Sequence, residues 1–167
     1  PEADYVPAEL LVEIDRVNEA TYEPLNNGVY KAGFATSQAA YENAYGEVFE
    51  TLDWLDTRLA HQRYAAGERI TEADWRIFVT LVRFDAVYYS HFKCNQRRIA
   101  DYTHLAGYLR ELYQVPGVAE TVDMNHIKQH YFRSHPDINP SGVVPLGPAL
   151  DFNAPHGRDY LGLSNDS

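Results

Sequence analysis

An all-α fold, a bundle of helices followed by an extended arm, is predicted by three features of this sequence. Apolar residues recur at steps of three and four up to about residue 134, a set of residues suited to capping a helix stands at 71–74, and prolines and glycines crowd the stretch after residue 134. The chain has 167 residues, 45% hydrophobic and 23% charged, which are the values of a globular domain large enough to bury a core.

From Pro7 the residues Leu10, Ile14 and Val17 repeat at helical spacing, with Glu9 and Glu13 in the first turns where the helix dipole favours acid. That helix is expected to end before Pro24. Asn26 to Phe34 combines two asparagines and two glycines with apolar residues, which reads as an ordered loop holding Tyr30 in irregular backbone. Thr36 or Ser37 can cap a second helix, whose stripe of Tyr41, Tyr45, Val48, Leu52, Leu55 and Leu59 points to antiparallel packing and which is expected to run to near Gly67. Thr71 and Asp74 can then cap each other's backbone and start a third helix. Trp75 to Tyr89 is apolar on nearly every face, so this helix is expected at the buried centre, with Arg76, Arg83 and Asp85 as exceptions. Asp85 reads as a hydrogen-bonded carboxylate rather than a catalytic one. Asp101 is placed to cap a helix carrying Leu105, Tyr108, Leu109 and Leu112, which Pro116 and Gly117 stop. A turn at 118–122 and a helix from about Asn125 to Phe132 complete a bundle over residues 1–134. Residues 135–167 hold five prolines and four glycines, too many helix breakers for regular structure, but Val143, Val144, Leu146, Leu150 and Phe152 suggest an arm packed on the bundle.

The charge balance of 14 basic against 24 acidic residues gives a net charge of -10 and argues against nucleic acid or anionic lipid as a partner. No apolar run approaches the ~20 residues of a membrane span, and no signal-peptide pattern is present. Cys94 is the only cysteine, so an internal disulfide is excluded and a reducing cytoplasm is the expected compartment. His126 and His130 share a helical face, but no glutamate follows His126, so the zinc-protease pattern fails and no metal site is expected. Phosphate-binding glycine loops and nucleophile-elbow serines are missing too.

What remains is tyrosine, present 13 times. A phenol with its ordinary pKa near ~10 is a protonated donor at neutral pH, able to protonate a developing carbanion or to support a thiolate by hydrogen bonding. Most tyrosines only pack. Tyr30 gains from its glycine-flanked setting and Tyr88 from its place near a helix end, but spacing alone does not separate Tyr30, Tyr88 and Tyr131 from Tyr41 or Tyr108.

Several segments, in order, resemble a known family. They are Asn26 to Ala35, Leu81 to Tyr88, His91 to Asn95, Pro116 to Val118, His126 to Lys128 with Tyr131, Ile138 to Pro140 and Pro155 to Arg158. Together, and over about Leu11 to Arg158, they are similar to the C-terminal domain of the glutathionyl-hydroquinone reductases, the Xi class of glutathione transferases. The resemblance implies a glutathione-transferase-type helical bundle and a two-domain enzyme. An N-terminal thioredoxin-like domain, outside this chain, is to carry the cysteine nucleophile and most of the glutathione site. It further implies Tyr30 as proton donor, Tyr88 and Tyr131 as the tyrosines facing the reactive sulfur, glutathione as co-substrate, a glutathionyl-hydroquinone as substrate, and a homodimer. Cys94 does not stand in the family's reactive Cys-Pro-Trp-Ala context, so the chain alone is expected to be inactive. A non-catalytic helical interaction module and a conjugating transferase are the alternative readings.

Overall fold

The computed structural model describes residues 3–162, so residues 1–2 of the expected bundle and 163–167 of the expected arm lie outside the described residues. Among the described residues six α-helices carry the fold: α1 Leu11–Thr21, α2 Gly28–Gly33, α3 Gln38–Leu59, α4 Glu72–Arg83, α5 Leu105–Tyr113 and α6 Met124–Ser134. Short 3₁₀ turns precede α1 and occupy Ile99–Asp101 and Ala119–Thr121. The described residues include no strand, only an isolated bridge between Tyr64 and Gly67, and no helix long and apolar enough to cross a membrane.

The core follows the predicted stripes. Ile14 and Val17 of α1, Val48, Phe49, Leu52, Leu55 and Leu59 of α3, and Ile77 and Leu81 of α4 meet Leu105, Tyr108 and Leu112 of α5, all at 2% exposure or less. Each such aliphatic side chain withdrawn from water contributes about 1.5–3 kcal/mol. α4 packs on α1 and α5, and α3 on α2 and α5. Asp74, fully buried, ties the start of α4 to its surroundings: its carboxylate accepts from the Thr71 N–H at 2.8 Å, the Ala65 N–H at 2.8 Å and the Tyr108 hydroxyl at 2.6 Å. The capping expected from Asp74 is present, and it serves α5 as well.

Four expectations need correction. Asn26 to Phe34 is not a loop, because Gly28–Gly33 form α2. α1 ends at Thr21, before Pro24 as expected, and the chain runs on through Tyr22–Asn26 as a π-helical turn, with the Asn27 N–H donating to the Tyr22 carbonyl at 2.9 Å. Pro24 has no N–H to return to the last turn of α1, and the wider turn begins where that bond of the α-helical ladder is missing. α3, capped by Ser37 Oγ at 3.1 Å from the Ala40 N–H, stops at Leu59 and not near Gly67. Asp101 does not cap α5; Asp56 of α3 does, accepting from the His104 and Leu105 N–H groups at 2.9 and 2.8 Å, while Asp101 pairs with Arg98. Finally, Val79 is not in the buried centre but 48% exposed. Asp85, as expected, is buried and hydrogen-bonded, to the Ile99 and Ala100 N–H groups at 2.6 and 3.1 Å.

Beyond α6 the chain runs without regular structure over the bundle. Arg158, 3% exposed, fastens this arm by donating to the carbonyls of Leu59, Gln62 and Arg63 at the C-terminal end of α3, to the His104 carbonyl and to Glu111. A cation there also opposes the negative end of the helix dipole. A Cβ on Gly107 of α5 would overlap the His156 carbonyl, so the arm's close approach requires glycine at that position.

Candidate active site

Two π-helical turns lead to the residues singled out from the sequence. The first, Tyr22–Asn26, delivers the chain into α2, which carries Tyr30; the second, Phe84–Tyr88, extends α4 and ends on Tyr88. Such turns shift the register of the residues after them and are frequent at functional sites. Glycine spacing then presses α2 inward. A Cβ on Gly28 would stand 2.9 Å from Val48 Cγ2 of α3, and one on Gly33 would overlap the Phe92 ring. Because both ends of this short helix sit so close to their neighbours, Tyr30 between them is left facing outward, 39% exposed.

Tyr30, Tyr88 and Tyr131, far apart in sequence, meet at one place. The Tyr131 oxygen lies 2.5 Å from that of Tyr30 and 3.0 Å from that of Tyr88. Their rings surround Phe92, which is fully buried: Tyr88 stacks on it at 5.4 Å, Tyr30 tilts against it at 5.2 Å and Tyr131 meets it edge-on at 6.0 Å. Tyr88 and Tyr131 are buried, at 2% and 7% exposure. Behind the wall His91 and His135 share a 2.9 Å hydrogen bond, and burial holds the His91 imidazole down at about 4, so it is neutral near pH 7.

The three phenols open on a surface groove whose other walls are Asn26, Asn27, Val79, Thr80 and Arg83. Asn26 Nδ2 donates to the Arg76 carbonyl at 2.9 Å and to Thr80 Oγ1 at 2.7 Å, which fixes the π-turn against α4. Arg83 donates to the Val79 carbonyl at 2.7 Å and stands one turn beyond exposed Val79. These wall residues were not singled out as functional from the sequence. The available signal was Arg83 itself, a charge on an apolar helix one turn after a valine.

Burial, then the bond to Tyr30, pushes the Tyr131 phenol up to about 12; burial, then the bond to Tyr131, raises Tyr88 further. Both are firmly protonated at neutral pH. The wall therefore offers hydrogen-bond donors and flat aromatic faces, suited to a planar substrate whose reaction generates negative charge. It offers no nucleophile. Cys94 is fully buried, and burial pushes its thiol up to about 12, so it supplies no thiolate near pH 7. No group of three or more His, Cys, Asp or Glu side chains able to hold a metal ion occurs among the described residues, and His126 and His130 are exposed on α6.

Residues 38–111 match the family described as glutathione S-transferase, C-terminal domain. The chain is similar to the glutathionyl-hydroquinone reductase YqjG of Escherichia coli K12, at 55% identity over 156 residues, which cover 93% of this chain and 48% of that protein. It is similar also to the glutathionyl-hydroquinone reductase PcpF of Sphingobium chlorophenolicum, at 56% identity over 146 residues, covering 87% of this chain and 47% of that protein. Among solved structures, glutathione-bound YqjG superposes with a TM-score of 0.93 at 54% identity, over 95% of this chain and 52% of that one. A Xi-class glutathione transferase from Natrialba magadii superposes with a TM-score of 0.95 at 52% identity, over 96% and 49%. The chain thus spans about half the length of the curated relatives it matches.

Proposed function

The chain belongs to the glutathionyl-hydroquinone reductases, the Xi-class glutathione transferases, as their C-terminal helical domain, and from that premise we propose that it is the substrate-binding half of a glutathione-dependent reductase. The reaction removes glutathione from a glutathionyl-hydroquinone, giving hydroquinone and oxidised glutathione. A thioredoxin-like domain supplies the cysteine thiolate and most of the glutathione site. The thiolate attacks the glutathione sulfur of the substrate, the carbon–sulfur bond breaks, and its electron pair stays on the aromatic carbon. Tyr30 protonates that carbon. A second glutathione thiolate then attacks the mixed disulfide, releasing oxidised glutathione and restoring the cysteine thiolate.

The observation that carries this reading is the convergence of Tyr30, Tyr88 and Tyr131 on one groove, with Tyr30 the most exposed of the three. Tyr88 and Tyr131 are assigned to the support of thiolate and substrate, with their rings and, through the hydroxyl bonds that join them to Tyr30, with the Tyr30 donor. Glutathione enters as a substrate, and the Arg83 guanidinium and the Asn27 amide are among the polar groups this half adds at the groove. The proposed assembly is a homodimer, and the proposed compartment the cytoplasm, which the single free cysteine supports.

In the intact two-domain enzyme, Tyr30→Phe is expected to slow hydroquinone release by about 10²–10⁴-fold, the usual contribution of a general acid, while the far-UV spectrum stays that of the wild type. Release at the wild-type rate would remove Tyr30 from the mechanism.

A further inference from the structure

Three phenols joined by two hydrogen bonds leave one proton uncommitted. Each hydroxyl has a single proton to donate. Tyr131 is the shared neighbour, 2.5 Å from Tyr30 and 3.0 Å from Tyr88, so two protons lie between oxygens and the third points elsewhere. Its location follows from burial. Tyr88 is 2% exposed and its hydroxyl meets Tyr131. Were Tyr88 to accept from Tyr131, its own proton would be buried without an acceptor, an unfavourable state that donation to Tyr131 avoids. Having accepted from Tyr88, Tyr131 is polarised to donate onward to Tyr30. The free proton then falls on Tyr30, at 39% exposure the hydroxyl best placed to meet a reactant. The arrangement in which Tyr30 and Tyr88 both donate to Tyr131 strands the free proton on a residue 7% exposed and loses the one-way polarisation.

From this geometry we infer that Tyr88 is a positioning residue: by donating to Tyr131 it fixes the direction of the hydroxyl chain, so that Tyr131 donates to Tyr30 and Tyr30 alone presents a proton to the groove. The inference rests on the reading of Tyr30 as proton donor, and it deepens that reading in one respect. The wall gives the reacting sulfur and carbon one phenolic proton, not three. When it is transferred, the Tyr30 O–H bond breaks and a C–H bond forms on the carbon that kept the electron pair. The Tyr30 phenolate left behind accepts from Tyr131, reinforced by Tyr88, until solvent returns the proton. Without Tyr88 the remaining pair can reverse, and Tyr30 then spends its proton on Tyr131.

The test uses the intact two-domain enzyme. Tyr88→Phe keeps the ring that stacks on Phe92 and deletes only the terminal donor. We expect kcat for hydroquinone release to fall about tenfold, the worth of one net hydrogen bond, with KM unchanged. Placing 3-fluorotyrosine at position 88 supplies a stronger donor, which burial keeps protonated, and is expected to raise kcat. Equal kcat for all three side chains overturns the inference, as does a loss in Tyr88→Phe confined to KM, the mark of a displaced wall. Should Tyr88→Phe not fold, equal rates with tyrosine and fluorotyrosine overturn it by themselves. Tyr30→Phe measured alongside separates the two claims. Normal turnover there defeats the donor reading, whereas loss of turnover there with normal turnover in Tyr88→Phe defeats only the positioning role.

Discussion

Arg158 shows how much one side chain can organise. It is 3% exposed, yet its guanidinium meets four carbonyls and the Glu111 carboxylate, which is itself buried and also accepts from Arg63 at 2.6 Å and from the Tyr64 hydroxyl at 2.8 Å. Removing one partner of a buried charged pair leaves the other under-satisfied, a loss of about 3–5 kcal/mol. Arg158→Met is therefore expected to lower the stability of the domain by about 3 kcal/mol, at the low end because Arg63 still holds Glu111; the urea midpoint checks this. Arg158 entered the sequence reading only within a resembling tail motif. Nothing in its neighbours along the chain announces that it is buried, since its partners stand some 47 to 99 positions away. The tyrosines are a similar case. Tyr30, Tyr88 and Tyr131 were separable from the other tyrosines by family resemblance and not by spacing, because a hydroxyl's use depends on which hydroxyls it meets, and these are up to 101 positions apart.

Local periodicity made α1, α3 and α4 legible, because each buries one stripe at helical spacing and Ser37 and Asp74 mark the starts of the last two. α2 was hidden for the opposite reason. Its glycines look like loop residues, but they serve close packing: Gly28 against α3 and Gly33 against Phe92. Host helices alone disfavour glycine; here tertiary contact decides. α5 was legible in its stripe but not in its start, since its N–H groups are satisfied by Asp56 from another helix. The π-turns gave no signal, since their geometry comes from packing around them. Gly33→Ala is accordingly expected to push Phe92 and the Tyr30 helix apart. It should destabilise the fold by about 1–3 kcal/mol and reduce turnover in the intact enzyme more than Gly46→Ala, where a Cβ meets nothing within 4 Å. Thermal unfolding and turnover of the two variants provide the comparison; equal effects in both would mean that the contact with Phe92 is not what requires glycine at position 33.

At the scale of the molecule, the described residues form one bundle with a strapped arm and a groove lined by donors, and they contain no thiolate to react there. The groove is a half-site by its chemistry. Phenols can orient a planar substrate and return a proton, but breaking a carbon–sulfur bond reductively needs a sulfur nucleophile, and Cys94 is fully buried in the core. The proposed reaction therefore stands on where the glutathione sulfur comes to rest when the thioredoxin-like domain is in place. A crystal structure of the intact protein with bound glutathione measures this directly. The sulfur is expected at hydrogen-bonding range of the Tyr30 hydroxyl, about 3–4 Å, over the groove formed with Val79 and Arg83. A sulfur resting against another face of the bundle, with the Tyr30 hydroxyl turned to solvent, would contradict the assignment.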